Sequence, residues 1–100
     1  MNYRFLDAAR RELIDAGRYY AAKNRQLVED LENEVDRALE YLCEFPKAAK
    51  RIDAIYRSYK LHRFPYLLIY RIEDAELVIV AVAHAAKKPD YWRGRDPGEE

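Results

Sequence analysis

Residues 66–84, YLLIYRIEDAELVIVAVAH, decide the fold of this chain. Two runs within them, residues 66–72 and 77–84, have the length of strands and are rich in β-branched and aromatic side chains. Both runs are apolar at odd and even positions, which indicates strands that are covered on both faces. The polar link at residues 73–75 is short enough for a hairpin. We therefore predict two antiparallel strands at the centre of a sheet.

The segments before this hairpin supply the remaining strands. Residues 55–61 (IYRSYKL) alternate in polarity, which predicts a third strand with one face exposed to solvent or to a partner. Residues 3–5 form a short apolar stretch at the N-terminus and are a candidate for a fourth strand. The sequence thus predicts an antiparallel sheet of three to four strands.

The N-terminal half is typical of two helices, because its apolar residues recur every three or four positions. One such stripe lies in residues 6–20 and another in residues 28–45, with a short polar run at residues 23–26 between them. We expect Asp7 to be the N-cap of the first helix, and Pro46 to end the second helix. The predicted fold class is α+β, with an N-terminal helical hairpin packed on one face of the sheet.

The length and composition limit the chain to one small domain. It has 100 residues, of which 50% are apolar, and that is enough for a single modest core. We place the domain at residues 1–95 and expect residues 96–100 to be a frayed tail. The lone Cys43 cannot form an internal disulfide, and the N-terminus lacks the apolar run of a signal peptide. No apolar stretch is long enough to span a bilayer, so we expect a cytoplasmic protein without a membrane partner.

The net charge of zero hides an uneven distribution of 18 basic and 18 acidic residues. Residues 24–44 carry seven acids and two bases, whereas residues 47–63 carry six bases and one acid. We interpret the acidic run as the solvated face of a helix, since nothing clusters the acids into a site. The basic run interleaves its charges with Tyr56, Tyr59 and His62. Rings beside cations can bind phosphates and stacked bases, and an acidic amphipathic peptide fits the same surface.

Motifs for common enzyme chemistries are absent from the sequence. It has no glycine-rich phosphate loop and no HExxH or CxxC pattern, so we predict no metal and no cofactor. The remaining candidates are cationic and imidazole groups, which can stabilise a phosphorane and move protons in metal-free RNA cleavage. For His84, at the end of a strand, a structural hydrogen bond is the competing interpretation. The candidates lie on or beside the predicted strands: Lys60, His62, Arg63, Arg71, His84, Lys87 and Lys88.

Several segments of the chain resemble RelE/ParE-superfamily toxins. The C-terminal half of these toxins has an FPY segment, an apolar strand that ends in AVxH, and a PxYW segment, which correspond here to residues 64–71, 78–84 and 88–95. The pattern A-x-x-EL-x-x-A-x-x-YY at residues 9–20 fits their N-terminal half. The resemblance covers about residues 3–95 and is closest to the ParE-like, plasmid-stabilisation branch.

The resemblance implies the toxin of a type II toxin–antitoxin module, with a cognate antitoxin encoded in the same operon as its partner. ParE-like members inhibit DNA gyrase, and this is the activity that we favour. RelE-like members instead cleave mRNA on the ribosome, and only in this alternative is the protein an enzyme. A third alternative is an inactive homologue that acts only by binding the antitoxin.

The resemblance also assigns site residues. In nuclease members, phosphate-binding and acid–base groups fall at the positions of Arg63, Arg71 and His84. The chain departs from that pattern, because alanines follow His84 where a tyrosine is common and Lys88 replaces an arginine. For Trp92, the alternative to partner binding is a ring that folds the tail back on the sheet. Contacts with the target or the antitoxin are predicted for basic and aromatic residues of the third strand and the C-terminal segment: Arg57, Lys60, His62, Lys87, Lys88, Tyr91, Trp92 and Arg95.

Overall fold

The computed structural model describes residues 1–95, which form two helices and five strands. Along the chain they are β1 (Asn2–Phe5), α1 (Asp7–Ala21), α2 (Arg25–Glu44), β2 (Lys50–Arg51), β3 (Tyr56–Lys60), β4 (Tyr66–Glu73) and β5 (Glu76–His84). The strands form one sheet in the order β1-β5-β4-β3-β2. The predicted α+β class and the helical hairpin are confirmed. The expected frayed tail at residues 96–100 lies outside the described residues.

The predicted number of three to four strands is wrong, because residues 1–95 contain five. The additional strand, β2, has only two residues and pairs antiparallel with β3, with Lys50 opposite Ser58. A segment this short has no detectable polarity pattern. The N-terminal β1 is present, but it pairs parallel with β5, with Phe5 opposite Ile79. This direction is open to β1 because the whole helical hairpin separates it in sequence from the other strands.

The central hairpin of β4 and β5 has two irregular features. Its turn residues Asp74 and Ala75 have φ angles of 49° and 61°, as a two-residue turn of the type that matches strand twist requires. Further along, Ile69 pairs with Ala81 and Tyr70 with Ile79, so that the intervening β5 residue has no partner on β4. Such a bulge shifts the alternation of side chains by one position.

The buried residues of β5 alternate between two faces of the sheet, and the bulge places Val80 and Ala81 on the same face. On the helix face, which α1 and α2 cover, Leu42, Leu68, Leu77 and Ile79 are completely buried. The opposite face, here called the tail face, carries a smaller cluster that includes a ring from the C-terminal segment. The buried residues of the tail face are Leu6, Ile69, Val78, Val80, Ala81, Ala83 and Trp92.

The helix ends show how the chain passes from strand to helix. The expected N-cap Asp7 is wrong: Asp7 is the first helical residue and Leu6 holds the cap position without a side-chain hydrogen bond. Leu6 continues the pairing of β1 instead, because its N–H donates to the carbonyl of Ile79 at 2.9 Å. In α2 the cap is Asn24, whose side chain accepts from the N–H of Gln26. No helix within residues 1–95 has both the length and the apolarity that a membrane crossing requires.

Candidate functional site

The sheet gathers most of the predicted cations at one end. Lys60 of β3 lies opposite Leu67, and Tyr66 at the start of β4 lies opposite His84 at the end of β5. The segments after β3 and after β5 therefore meet, and the N–H of Ala85 donates to the carbonyl of Pro65 at 2.8 Å. We call this surface the basic end, and its members are Lys60, His62, Arg63, His84, Lys87 and Lys88.

Two carboxylates of α2 hold the loop of the basic end in place. Asp30 forms an ion pair with Arg63, with Oδ2 2.8 Å from Nη1, and Glu34 accepts from the backbone N–H groups of His62 and Arg63. Hydrogen bonds from Gln26 and Arg63 lower the pKa of Asp30. For these two acids, the interpretation as a merely solvated face is wrong. Their partners lie about 30 residues away, at a separation that no local pattern reveals.

The half-buried His84 lines a small cleft between α1 and the end of β5. Its Nδ1 accepts from the N–H of Ala86 at 3.0 Å, so the neutral ring carries its proton on Nε2. The ring of Tyr66 meets it edge to face at 5.1 Å, and the Nζ of Lys87 lies 4.8 Å from the centre of the Tyr91 ring. The cleft measures about 170 Å³, which is below the usual volume of a small-molecule site.

The three residues assigned to nuclease chemistry do not converge in the structure. Arg71 is buried on the tail face opposite Val78, and its Nη1 lies 3.5 Å from Glu73. Tyr66, which lies opposite His84, is five residues from Arg71 on β4, so the backbones of Arg71 and His84 are separated by about 17 Å along the strand. Arg63 lies at the basic end but is directed to Asp30 of α2. Only His84 among the three lines the cleft.

The C-terminal residues that were expected to contact a partner are bonded within the chain. Glu12 of α1 accepts from Tyr91 at 2.5 Å and from both Nη atoms of Arg95 at 2.9 Å. The same carboxylate accepts from the N–H of Val82 at 2.9 Å. Val82 lies on β5 beyond Ile79, the last β5 residue that pairs with β1. Trp92 is 4% exposed, which agrees with the alternative that its ring folds the tail back on the sheet.

Glu12 is the residue that the sequence interpretation missed. Burial raises the pKa of its carboxyl, but the hydrogen bonds from Arg95, Tyr91 and Val82 outweigh it, and the net pKa is lowered. The pKa of Tyr91 is raised by burial and by its bond to Glu12. The available signals were a single acid beside the apolar stripe of α1 and its place in the family pattern at residues 9–20, and neither names a partner.

Arg57 also serves the fold. Its guanidinium donates to the carbonyls of Lys47 and Ala49 at 3.1 and 3.0 Å and so fixes the segment between α2 and β2. Of the predicted contact residues, the exposed ones are therefore Lys60, His62, Lys87 and Lys88. Within residues 1–95, no group of three or more metal-binding side chains is close enough together to hold an ion.

Comparisons with known proteins give one family and one fold. Residues 3–89 match the family described as the ParE toxin of type II toxin-antitoxin system, parDE. Among solved structures, the chain is similar to one titled "Chromosomal ParDE TA system from P. aeruginosa", with a TM-score of 0.71 and 15% sequence identity. That match covers 84% of this chain and 95% of the other, and at this identity it shows a shared fold. No curated protein gives a match.

Proposed function

The chain belongs to the ParE toxin family of type II toxin–antitoxin systems, and from this premise we propose that it inhibits DNA gyrase by binding it. The observation that carries the proposal is the position of Arg71, which is buried opposite Val78 at about 17 Å along the strand from His84. A nuclease needs its acid, its base and its phosphate-binding groups around one phosphodiester. An inhibitor that acts by binding needs only a stable surface.

The basic end is the surface that we assign to the target. Lys60, Lys87 and Lys88 are exposed there, and the bonds of Asp30 and Glu34 to the neighbouring loop hold its shape. Exposed charges of one sign steer the approach of an oppositely charged partner and fix its orientation. Membership of the ParE toxin family supports a cognate antitoxin as the second partner, which neutralises the toxin.

The direct test is DNA supercoiling by purified gyrase in the presence of the purified protein. We expect inhibition, and a Lys87→Glu/Lys88→Glu double variant should require at least about 10-fold more protein for the same inhibition. Lys50→Glu on β2, which is three strands away from β5 in the sheet, is a single charge reversal that serves as the control and should inhibit like the natural sequence. Full supercoiling activity at micromolar concentrations of the natural protein would contradict the gyrase proposal.

The alternative, RelE-like mRNA cleavage, is favoured by one observation, the presence of His84, Lys87 and Tyr66 around a single cleft. In a translation extract, this activity produces mRNA cut within codons, and His84→Ala abolishes it. Gyrase inhibition instead leaves the mRNA intact, and the folded His84→Ala variant keeps part of it, because a binding surface loses one contact where a nuclease loses its proton-transfer group. An inactive homologue gives neither result while still binding its antitoxin.

A further inference from the structure

A row of aromatic rings lies along the contact between α2 and β3, outside the basic end apart from one shared histidine. Tyr41 is 5.5 Å from Phe45 and 6.1 Å from Tyr59, measured between ring centres, and Tyr59 is 6.2 Å from His62. We call these four rings the aromatic seam. Two of them, Tyr41 and Phe45, are 45% and 51% exposed. Clusters of exposed aromatic rings commonly mark surfaces that bind other proteins.

The seam borders an open cavity of about 440 Å³ whose wall includes Arg37, Tyr41 and Tyr59. The rings beside this cavity meet at angles of 46° and 71°. Because they are not parallel, they leave no flat slot in which a nucleic-acid base could stack between two rings. A branched aliphatic side chain fits between tilted rings better than a flat base does. The ring geometry therefore favours a peptide over a nucleotide as the ligand.

The free charge beside the seam is positive, although α2 as a whole is acidic. Asp30 and Glu34 lie on the same side of α2 as Tyr41, but both carboxylates are bonded to the loop of residues 62–63. Arg37, one turn from Tyr41, makes no hydrogen bond or ion pair with any other residue in the part of the chain that the structure describes. Within residues 1–95, the seam therefore presents an arginine without a hydrogen-bonded partner, although Glu34, whose carboxylate is bonded to backbone N–H groups, lines the same cavity.

Three of the five remaining acids of α2 line other grooves. Glu40 and Glu44 line a groove with Met1 and Tyr3, and Glu32 lines another between the two helices. A partner that lies on the seam thus meets Arg37 and exposed rings, while the nearest carboxylate, Glu34, is already bonded to backbone N–H groups. Tyrosine and arginine are also the residue types that contribute most binding energy at protein interfaces.

We propose that the aromatic seam binds an acidic segment of the antitoxin, which places a carboxylate at Arg37 and an apolar or aromatic side chain against Tyr41 and Phe45. The inference rests on the proposed function, because it takes the antitoxin as the partner. It does not depend on gyrase as the target, since the seam and the basic end are tested by different residues.

The test measures the dissociation constant between this protein and the purified product of the reading frame adjacent to its gene. Tyr41→Ala and Arg37→Glu should each weaken binding by about 30-fold or more. The matched controls are Tyr3→Ala, whose ring has the same 45% exposure on β1, and Arg11→Glu, an exposed arginine of α1. Both controls should change the affinity by less than about 2-fold, and circular dichroism should show that all four variants are folded.

Each outcome decides for or against the seam. Unchanged binding by both seam variants overturns the inference, as does an equal loss with the control variants. Loss of gyrase inhibition with unchanged antitoxin binding also overturns it, because the seam would then serve the target. If the natural protein leaves gyrase active while the seam variants still lose the antitoxin, the gyrase proposal fails and the seam assignment stands.

Discussion

The two faces of the sheet are covered by different kinds of structure. On the helix face, α1 and α2 contribute 15 and 20 residues whose apolar stripes interlock with β4 and β5. On the tail face, an irregular segment that begins after His84 supplies one fully covered ring, Trp92. Three hydrogen bonds to Glu12 fasten this segment, together with a bond from Arg95 to the carbonyl of Val80 and an ion pair between Arg93 and Asp53. A cover that depends on so few contacts can open without unfolding the rest.

The largest expected effect comes from truncating one buried side chain on each face of the sheet. Leu42→Ala should lower the free energy of global unfolding by about 3 kcal/mol, because it leaves a cavity among interlocked side chains. Trp92→Ala removes a larger side chain, yet we expect a global loss of about 2 kcal/mol or less, since the segment can detach instead. Urea unfolding followed by circular dichroism gives both values.

Hydrogen exchange distinguishes the local effect from the global one. In Trp92→Ala, amides of residues 85–95 should lose protection while those of α2 keep it. In Leu42→Ala, protection should fall in both regions together. A uniform loss of protection in Trp92→Ala would mean that the two faces form one cooperative unit, and the contrast drawn here would be broken.

Much of this fold follows from local pattern. The three-to-four spacing of apolar residues located α1 and α2, and the double-sided apolar runs located β4 and β5. The two-residue β2 and the parallel direction of β1 were not predictable, because both depend on contacts between segments that are distant in sequence. The bulge in β5 was hidden for a different reason: a run that is apolar at every position conceals a shift in the alternation of side chains.

The site was less accessible from sequence than the fold. Residue type gave a set of candidate cations on or beside the strands, but it could not say which of them the fold itself uses. Arg57 and Arg95 look like partner-binding groups until their carbonyl and carboxylate acceptors are seen. Glu12 was overlooked because its four donors come from β5 and the C-terminal segment, about 70 to 83 residues away.

Low pH is expected to release the C-terminal segment from the sheet, which is an effect of intermediate size. Hydrogen bonds depress the pKa of Glu12 in the folded state, in spite of its burial. Its contribution to docking is therefore complete above the unfolded pKa of about 4.3 and is lost as the pH falls through the lower folded value. Trp92 is the only tryptophan in the chain, so its fluorescence reports docking of the tail. We expect its emission to shift to the red below about pH 4, before the helical signal is lost.

Glu12→Gln separates this carboxylate from a second one that also bonds to the C-terminal segment. Asp53 forms an ion pair with Arg93 at 3.0 Å, and backbone hydrogen bonds from Tyr56 and Ile55 lower its pKa as well. In Glu12→Gln, the tail should already dock about 2 kcal/mol less tightly at neutral pH, and any acid step that remains belongs to Asp53. An unchanged acid step in Glu12→Gln would show that Glu12 does not control the tail.

The smallest effect concerns the turn that both faces share. Ala75 has a φ of 61°, a conformation that costs a residue with a Cβ about 1 kcal/mol or more, whereas glycine adopts it freely. The added freedom of glycine in the unfolded chain offsets part of the gain, so Ala75→Gly should stabilise the protein by about 0.5 kcal/mol. Asp74→Gly is the matched control and should have less effect, since aspartate tolerates this conformation better. The turn joins β4 to β5, whose side chains lie on both faces. Ala75→Gly should therefore raise the free energy of global unfolding and leave the free energy of tail opening unchanged. A change in Trp92 fluorescence in Ala75→Gly would instead couple the turn to the tail face alone.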